Sequence, residues 1–259
     1  MILDEIVEKR HQQLTREKQK ISCEEMQKLA LEAKRPVLDF YGALKMEGLS
    51  VIAEVKKASP SKGVIREDFC PAEFAKAYEK GGAAAISCLT EEFYFQGGSE
   101  YLKEVRKATR LPILRKDFII DPYQIYEARV IGADAVLLIA ALLDTETLVS
   151  FMSIAKSLGL HCLTEVHNEV ELQSAIKAGA NIIGINNRDL ATFRVSLDTT
   201  KNLVGRLPKS VVKVSESGIG SREDMKTVRQ HGADAVLIGE TLMKSRDMAA
   251  KLRQLRGLS

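Results

Sequence analysis

Charged side chains end several short apolar runs of the sequence, where they could transfer protons. Glu54 and Lys56 end one run, Lys116 ends a second and Glu165 ends a third. A lysine ammonium can donate a proton and a glutamate carboxylate can accept one, so this set suits general acid and base catalysis. Each charge taken singly could instead belong to a structural ion pair. Together they would be costly to desolvate for stability alone, and we predict a catalytic site.

The alternation of side chains along a β-strand places these charges on one face. In the first run Glu54 and Lys56 share a face with Ile52, because the side chains of a strand alternate with a period of two. In the second run Lys116 lies on the face opposite Arg115. If the strands close around a common interior, the charged groups converge over one pocket.

Glycines at the ends of the last two apolar runs indicate a phosphate site. Gly218 and Gly239 each stand where a strand would turn into a helix, and residues 241–244 could form a short extra helix. Backbone N–H groups at such turns bind phosphate in many barrels, whereas a single glycine can simply make a tight turn. Ser59 lies in a loop of serines and lysines that suits an anion. Glu240 would repel a phosphate, so we expect its side chain to point away.

The elements that position these residues repeat along the chain. A glycine followed by a short β-rich run occurs in 80–88, 131–139, 178–185 and 231–239. In each copy the glycine is typical of the left-handed residue that ends a helix. The copies recur about every 50 residues, which suits two strand–helix units per copy and therefore eight units in all.

The remaining strands and the helices fall between these copies. Strands are predicted at 51–57, 112–116, 160–166 and 211–217, and helices at 71–80, 122–131, 145–158, 169–178 and 222–231. Regular alternation of strands and helices predicts parallel strands, and eight equal units favour closure. The predicted fold class is therefore α/β, a (β/α)8 TIM barrel. A doubly wound sheet is the alternative, although a GxGxxG turn after the first strand is missing.

The segment 1–48 precedes the first strand and has a helical composition. Apolar residues recur in it at helical spacing, namely Ile2, Ile6, Met26, Leu29, Ala30 and Ala33. We expect helices that pack on the barrel and cover one end of it, the alternative being a solvated leader. The predicted organisation is a single domain over 1–259 with 1–48 as an N-terminal helical extension.

Composition restricts the class of partner. The 259 residues include 38 basic and 35 acidic ones, a net charge of +3, so the charge balance does not demand a nucleic acid or an anionic membrane. Residues 1–20 lack the apolar core of a signal peptide, and no run approaches a membrane span. We expect a cytoplasmic monomer, with an oligomer left open. Neither the cysteines nor His167 have metal-ligand spacing, so no metal is predicted.

Five segments of the chain resemble the indole-3-glycerol phosphate synthase family. They are 52–63 (IAEVKKASPSKG), 114–118 (LRKDF), 164–167 (TEVH), 184–190 (GINNRDL) and 215–218 (SESG). The resemblance implies conversion of the phosphorylated small molecule 1-(2-carboxyphenylamino)-1-deoxyribulose 5-phosphate into indole-3-glycerol phosphate, with loss of carbon dioxide and water and without a cofactor. It implies that Lys116 is the general acid at the substrate carbonyl and that Glu165 is the general base of the later dehydration.

The same resemblance implies roles for the other candidate residues. Lys56 would pair with the substrate carboxylate, and Glu54 would hold the lysine heads in place by charge pairing. The remaining roles are hydrogen bonding to hydroxyl groups by Asn186 and Ser217, anchoring of the polar network by Arg188, an apolar slot of Phe118, Leu137 and Leu190, and phosphate binding by Ser59, Gly218 and Gly239.

Two other functions remain open at this stage. Another phosphate-binding barrel enzyme, such as an isomerase of phosphoribosyl compounds, would share the glycines of the last two strands. Its catalytic Cys and Asp pair has no counterpart at the ends of the first and fifth strands here. A non-catalytic module that recruits nucleic acid or protein is the second alternative, which the balanced charge disfavours.

Overall fold

Eight parallel strands close into a barrel in the computed structural model, which describes residues 2–190 and 192–258. The strands of the described chain are β1 (Ser50–Val55), β2 (Ala58–Ser59), β3 (Gly63–Val64), β4 (Ala85–Leu89), β5 (Ile113–Lys116), β6 (Ala135–Ile139), β7 (His161–Val166), β8 (Ile182–Asn186), β9 (Val212–Glu216) and β10 (Ala235–Ile238). The barrel closes because β1 pairs in parallel with both β4 and β10. The short β2 and β3 pair antiparallel in the loop that follows β1, an arrangement that the sequence did not predict.

Helices alternate with the barrel strands as predicted. Those of the described chain are α1 (Ile2–Lys20), α2 (Cys23–Glu32), α3 (Phe40–Leu44), α4 (Pro71–Gly81), α5 (Ser99–Ala108), α6 (Pro122–Ile131), α7 (Thr145–Ser157), α8 (Glu169–Lys177), α9 (Asp198–Val204), α10 (Arg222–Gln230), α11 (Glu240–Met243) and α12 (Met248–Arg256). The (β/α)8 fold class is confirmed, and the short helix expected at 241–244 begins one residue earlier.

The four repeated glycines end helices in the left-handed conformation. Their φ angles are 85° at Gly82, 99° at Gly132, 84° at Gly179 and 103° at Gly232. Residues with a Cβ rarely adopt such angles, which is why glycine recurs at this point of each copy. The repeat therefore marks the helix-to-strand turn of every second strand–helix unit.

Each strand contributes side chains to two apolar clusters, one inside the barrel and one between the barrel and the helices, as the alternation predicted. Ile52, Leu163 and Val214 belong to the cluster inside the barrel, whereas Ala53 and Val55 pack outward against the helices. Because odd and even positions of a strand face opposite ways, the inward positions at the strand ends open onto the cavity described below.

The N-terminal helix α1 lies over the carboxyl ends of the strands. Ile6 is buried and lines the cavity there, and the buried Arg10 places its Nε 3.5 Å from Asp117 Oδ1, directly after β5. Lys18 adds an ion pair with Asp121 at 2.6 Å. The expected covering role of the helical extension is confirmed for the described residues, which leave out Met1. Within the apolar series of α2, Met26 and Ala30 are buried one turn apart, whereas Leu29 is 38% exposed.

Among residues 2–190 and 192–258, no helix combines the length and the apolar character that a membrane crossing requires.

Candidate active site

One cavity of about 670 Å³ gathers all of the predicted site residues at the carboxyl ends of the strands. Its lining includes Glu54, Lys56, Ser59, Lys116, Phe118, Leu137, Glu165, Asn186, Arg188, Leu190, Ser217, Gly218 and Gly239. Because the carboxyl ends of parallel strands meet at one end of a barrel, side chains far apart in sequence become neighbours here. The predicted site residues therefore do lie around one common pocket.

A largely buried lysine lies between two glutamates in the lining of this cavity. Lys116 Nζ lies 2.7 Å from Glu165 Oε2 and 3.3 Å from Glu216 Oε2. The lysine side chain is 14% exposed, and both carboxylates are almost completely buried. They come from β5, β7 and β9, that is, from alternate strands, which is how a barrel places inward side chains in one layer.

The three groups shift one another's pKa in opposite directions. Burial by itself would lower the pKa of Lys116, but the charges of Glu165 and Glu216 outweigh burial and raise it, so the ammonium is held charged. Burial would raise the pKa of Glu165, yet Lys116 and His167 bring it well below its usual range. Burial, reinforced by the negative charge of Glu165, raises the pKa of Glu216 to about 8. At neutral pH the centre therefore holds a cation, an anion and a neutral acid.

Glu216 is a site residue that the sequence reasoning did not select. It lies on the inward face of β9, in alternation with Val212 and Val214 of the barrel interior. The signal was present in the sequence, because the rule that selected Glu54 and Glu165 applies equally to the run before Ser217. The serine and glycine of the following turn match a phosphate-binding turn, and Glu216 was assigned no role.

Gly184 makes room for the two carboxylates. It pairs in register with Glu165 on β7, and a Cβ built on it would collide with the Glu216 carboxylate and lie 3.3 Å from Leu163 Cδ1. Any side chain here would push Glu216 away from Lys116. The glycine of the GINN segment thus has a packing function that its sequence position alone did not indicate.

We expect Gly184→Ala to destabilise the fold by about 1–3 kcal/mol through overpacking and to lower turnover at least about tenfold by displacing Glu216. Gly205→Ala is the matched control. Gly205 ends α9 in a right-handed helical conformation with nothing within 4 Å of a built Cβ, so alanine should be neutral or stabilising there. Urea unfolding and steady-state turnover of both variants check this. Equal behaviour of the two variants would contradict the packing role.

A second ion pair, Glu54 with Lys56, lies beside the first. Lys56 Nζ is 2.6 Å from Glu54 Oε1, and Glu54 is 3% exposed. A Cβ on Gly239 would collide with the Glu54 carboxylate and lie 3.1 Å from Lys56 Nζ. The glycine after β10 is therefore needed for the close approach of this pair, in addition to any contact with an anion.

His167 supports Glu165 from outside the cavity centre. Its Nε2 lies 3.4 Å from Glu165 Oε1 and its Nδ1 lies 3.0 Å from Glu171 Oε2. Burial lowers the pKa of His167, but the two neighbouring carboxylates, Glu165 and Glu171, raise it to about 10. The imidazolium is thus a second cation that keeps Glu165 ionised. Among the described residues, no group of three His, Cys, Asp or Glu side chains is arranged to hold a metal ion.

The turn after β9 has an unusual backbone. Ser217 and Gly218 have φ angles of 65° and 82°, and the buried Asn187 donates from Nδ2 to the carbonyl groups of Glu216 and Ser217 at 3.0 and 3.1 Å. A positive φ at serine is strained and persists only where the surroundings hold it. The hydrogen bonds from Asn187 stabilise this turn. Asn187 was not among the residues predicted from the sequence.

Apolar side chains form one part of the cavity lining. Leu137 and Leu190 line the wall together with Phe118, whose ring centroid is 6.0 Å from that of Phe95. Phe95 comes from the loop after β4 and was not predicted. Arg188 Nη1 donates to the carbonyl of Phe193 at 3.3 Å, so in this state it fastens the loop after β8.

The rim near Ser59 and Gly218 also includes Lys62 and Lys244. Glu240 lines it as well, and its carboxylate lies 2.6 Å from Lys244 Nζ. The hydrogen bond from Lys244 lowers the pKa of Glu240, and the pair is electrically neutral. The expectation that Glu240 points away was wrong, because this residue lines the cavity, where its pairing with Lys244 reduces the repulsion of an anion.

Barrels of this architecture carry their chemistry at the carboxyl ends of the strands, and paired buried carboxylates and lysines there define the chain as a (β/α)8-barrel enzyme. A family model described as "Indole-3-glycerol phosphate synthase" matches residues 3–255. The chain belongs to that family.

Individual relatives agree with the family assignment. An indole-3-glycerol phosphate synthase of Acetivibrio thermocellus is 53% identical over the whole of both chains, and one of Dehalococcoides mccartyi is 48% identical over 98% of this chain and 100% of its own. Among solved structures, thiamine phosphate pyrophosphorylase from Pyrococcus furiosus superimposes with a TM-score of 0.62 at 20% identity, covering 81% of this chain and 94% of its own. At that identity the likeness concerns the fold alone. The isomerase and binding-module alternatives are set aside.

Proposed function

We propose that this chain closes the indole ring of 1-(2-carboxyphenylamino)-1-deoxyribulose 5-phosphate, with Lys116 as general acid and Glu165 as general base. The observation that carries the proposal is the contact of 2.7 Å between the two groups in the lining of the cavity. The test is to mix the purified chain with this substrate and follow indole fluorescence. No signal between about pH 5 and 9, where the groups of such a site titrate, would contradict the proposal.

The cavity accommodates a substrate with an aromatic end and a phosphate end. The carboxyphenyl ring would lie in the slot of Phe118, Leu137 and Leu190, with its carboxylate near Lys56. The phosphate would be bound by Ser59, Gly218 and Gly239, where Lys62 and Lys244 add positive charge. Orientation by the two ends would place the carbonyl carbon beside Lys116, which is the geometric requirement for ring closure.

The first chemical step uses the charged lysine. As the ring carbon that bears the carboxylate bonds to the carbonyl carbon, the carbonyl oxygen becomes a hydroxyl by taking a proton from Lys116. The new bond disrupts the aromatic ring. Loss of carbon dioxide returns the bonding electrons to the ring and restores its aromaticity. Lys56 pairs with the carboxylate until it leaves, and Glu54 holds Lys56 in place.

The second step is the dehydration. The hydroxyl leaves as water by taking a proton from Lys56, which loses its carboxylate partner when carbon dioxide departs, and a proton is removed from the carbon next to the nitrogen, which forms the carbon–carbon double bond of the five-membered ring. Glu165 accepts this proton. Asn186 and Ser217 hydrogen-bond the hydroxyl groups of the substrate, and Arg188 holds the loop that closes this side.

We also propose that residues 1–259 act as one domain, with 1–48 as its helical extension, because α1 contributes Ile6 to the cavity wall. The proposal includes a monomer in the cytoplasm that works without a cofactor.

Glu216 should make the stability of the protein depend on pH. Its pKa is raised to about 8 by burial, so between its usual value and 8 the folded state binds a proton that the unfolded state releases. The free energy of unfolding should therefore fall as pH rises from about 5 to 8, and Glu216→Gln should remove part of that fall. Urea unfolding at several pH values measures it. Glu100→Gln, at an exposed ion pair, is the control that should keep the wild-type slope; the same slope in Glu216→Gln would argue against a neutral Glu216.

A further inference from the structure

A buried carboxylate outside the proton-transfer centre organises the loop after β4. Glu91 is 1% exposed, and its two carboxylate oxygens accept hydrogen bonds from the backbone N–H groups of Phe93, Tyr94 and Phe95 at 2.9, 2.8 and 2.9 Å. Three backbone donors on one carboxylate are charge-assisted and therefore strong. One side chain thus holds three consecutive residues of irregular backbone.

The loop is also closed at its base. Gly97 N–H donates to the carbonyl of Glu91 at 2.7 Å, and Gly98 N–H donates to the carbonyl of Leu89 at 3.3 Å. A Cβ on Gly97 would lie 2.5 Å from the Leu89 carbonyl oxygen, so the two ends of the loop can approach only because this residue is glycine. The segment from Leu89 to Gly98 is therefore a closed loop with the Glu91 carboxylate at its centre.

Two parts of the cavity depend on this loop. The ring of Phe95 faces the ring of Phe118 with centroids 6.0 Å apart, and both rings line the cavity. The carbonyl of Phe95 accepts a hydrogen bond from the N–H of Ala58 at 3.2 Å, next to Ser59 on the anion-binding rim. One residue thus joins the aromatic wall to the loop that carries Ser59.

We propose that Glu91 is a positioning residue for substrate binding, acting through Phe95. It holds the backbone of residues 93–95 so that the Phe95 ring completes the aromatic slot and its carbonyl fixes the loop after β1. The inference rests on the proposed function, since it assigns the slot to the carboxyphenyl ring. None of the residues proposed to transfer protons lies in this loop: Lys116 and Glu165 belong to β5 and β7.

This separation predicts a specific kinetic effect. A change at Glu91 should weaken the contacts that the protein makes with the non-reacting part of the substrate. The proton-transfer groups stay in place, so KM should rise while kcat changes little. Glu91→Gln keeps the shape of the side chain but loses the charge and turns an NH2 group toward backbone donors. Because the lost hydrogen bonds are charge-assisted, KM should rise at least about tenfold with kcat within about threefold.

The experiment measures both kinetics and equilibrium binding. The probe for binding is the substrate with its carbonyl reduced to an alcohol, which cannot close the ring; its Kd is measured by calorimetry for the wild type, Glu91→Gln and Glu91→Asp. The expected result is a rise in Kd of at least about tenfold for Glu91→Gln, with a smaller rise for Glu91→Asp, which keeps the charge. Phe95→Ala, combined with Glu91→Gln, should give a less than additive change, because both act on one ring.

Glu79→Gln is the matched control, since Glu79 accepts hydrogen bonds from Thr109 and Arg110 at the opposite end of the barrel. It should leave KM and Kd as in the wild type. If Glu91→Gln lowers only the melting temperature and keeps wild-type KM and Kd, the positioning role is overturned. If the wild type binds the alcohol probe but forms no indole, the proposed function fails separately, and the change in Kd still decides the role of Glu91. A wild type that does not bind the probe overturns both.

Discussion

Lys116→Met is expected to lower kcat at least about 100-fold, which corresponds to about 2.7 kcal/mol of lost transition-state stabilisation. Methionine fills a similar volume but cannot give a proton to the carbonyl oxygen. It also leaves Glu165 and Glu216 buried without the cation between them, so their pKa values should rise and one proton should be shared. Both carbon dioxide and indole should then form slowly, because the step that fails comes first.

Lys116→Arg separates charge from proton donation at this position. Arginine can still pair with both glutamates, but it holds its proton too strongly to be a useful acid. We expect it to restore much of the stability lost in Lys116→Met and little of the turnover. Single-turnover measurement of carbon dioxide and indole together with urea unfolding distinguishes these effects. Wild-type turnover in the arginine variant would show that Lys116 acts only as a fixed charge.

The regular part of the molecule could be predicted because it obeys short-range rules. The period of two assigned Glu54, Lys56 and Lys116 to the inward face, where they line the cavity, and the repeated glycine located the helix-to-strand turns. The number of strand–helix units, eight, was then enough to predict that the sheet closes into a barrel. All of the predicted site residues consequently line one cavity, although their roles stay proposals.

The unpredicted residues depend on contacts without a local period. Glu91 and Phe95 lie in an irregular loop, whose backbone is determined by hydrogen bonds to one carboxylate. The burial of Arg10 depends on Asp117, more than a hundred positions away. The alternation of β9 did contain the signal for Glu216, which was missed because glycine and serine beside it matched a phosphate turn better.

Glu165→Gln is the second variant with a large expected effect, a loss of at least about 100-fold in the rate of indole formation. The resting Glu165 is a weak base, since Lys116 and His167 hold its pKa well below the usual range. Once Lys116 has given its proton to the substrate, that cation is gone, and burial then raises the pKa of Glu165 with less opposition. The acid step thus activates the base for the dehydration that follows.

This order of proton transfers predicts how the variant should fail. In a single turnover, Glu165→Gln should release carbon dioxide faster than it forms indole, because ring closure precedes the step that needs the base. Glu171→Gln is the control: Glu171 contacts the other side of His167 at 3.0 Å, so its loss should change indole formation less than about fivefold. Simultaneous loss of both products in Glu165→Gln would place its role in the first step. Equal rates of indole formation in the two glutamine variants would exclude Glu165 as the base. Glu171→Gln keeps the carboxylate that contacts Lys116 and Glu165→Gln loses it, so a base at this position must make the rates differ.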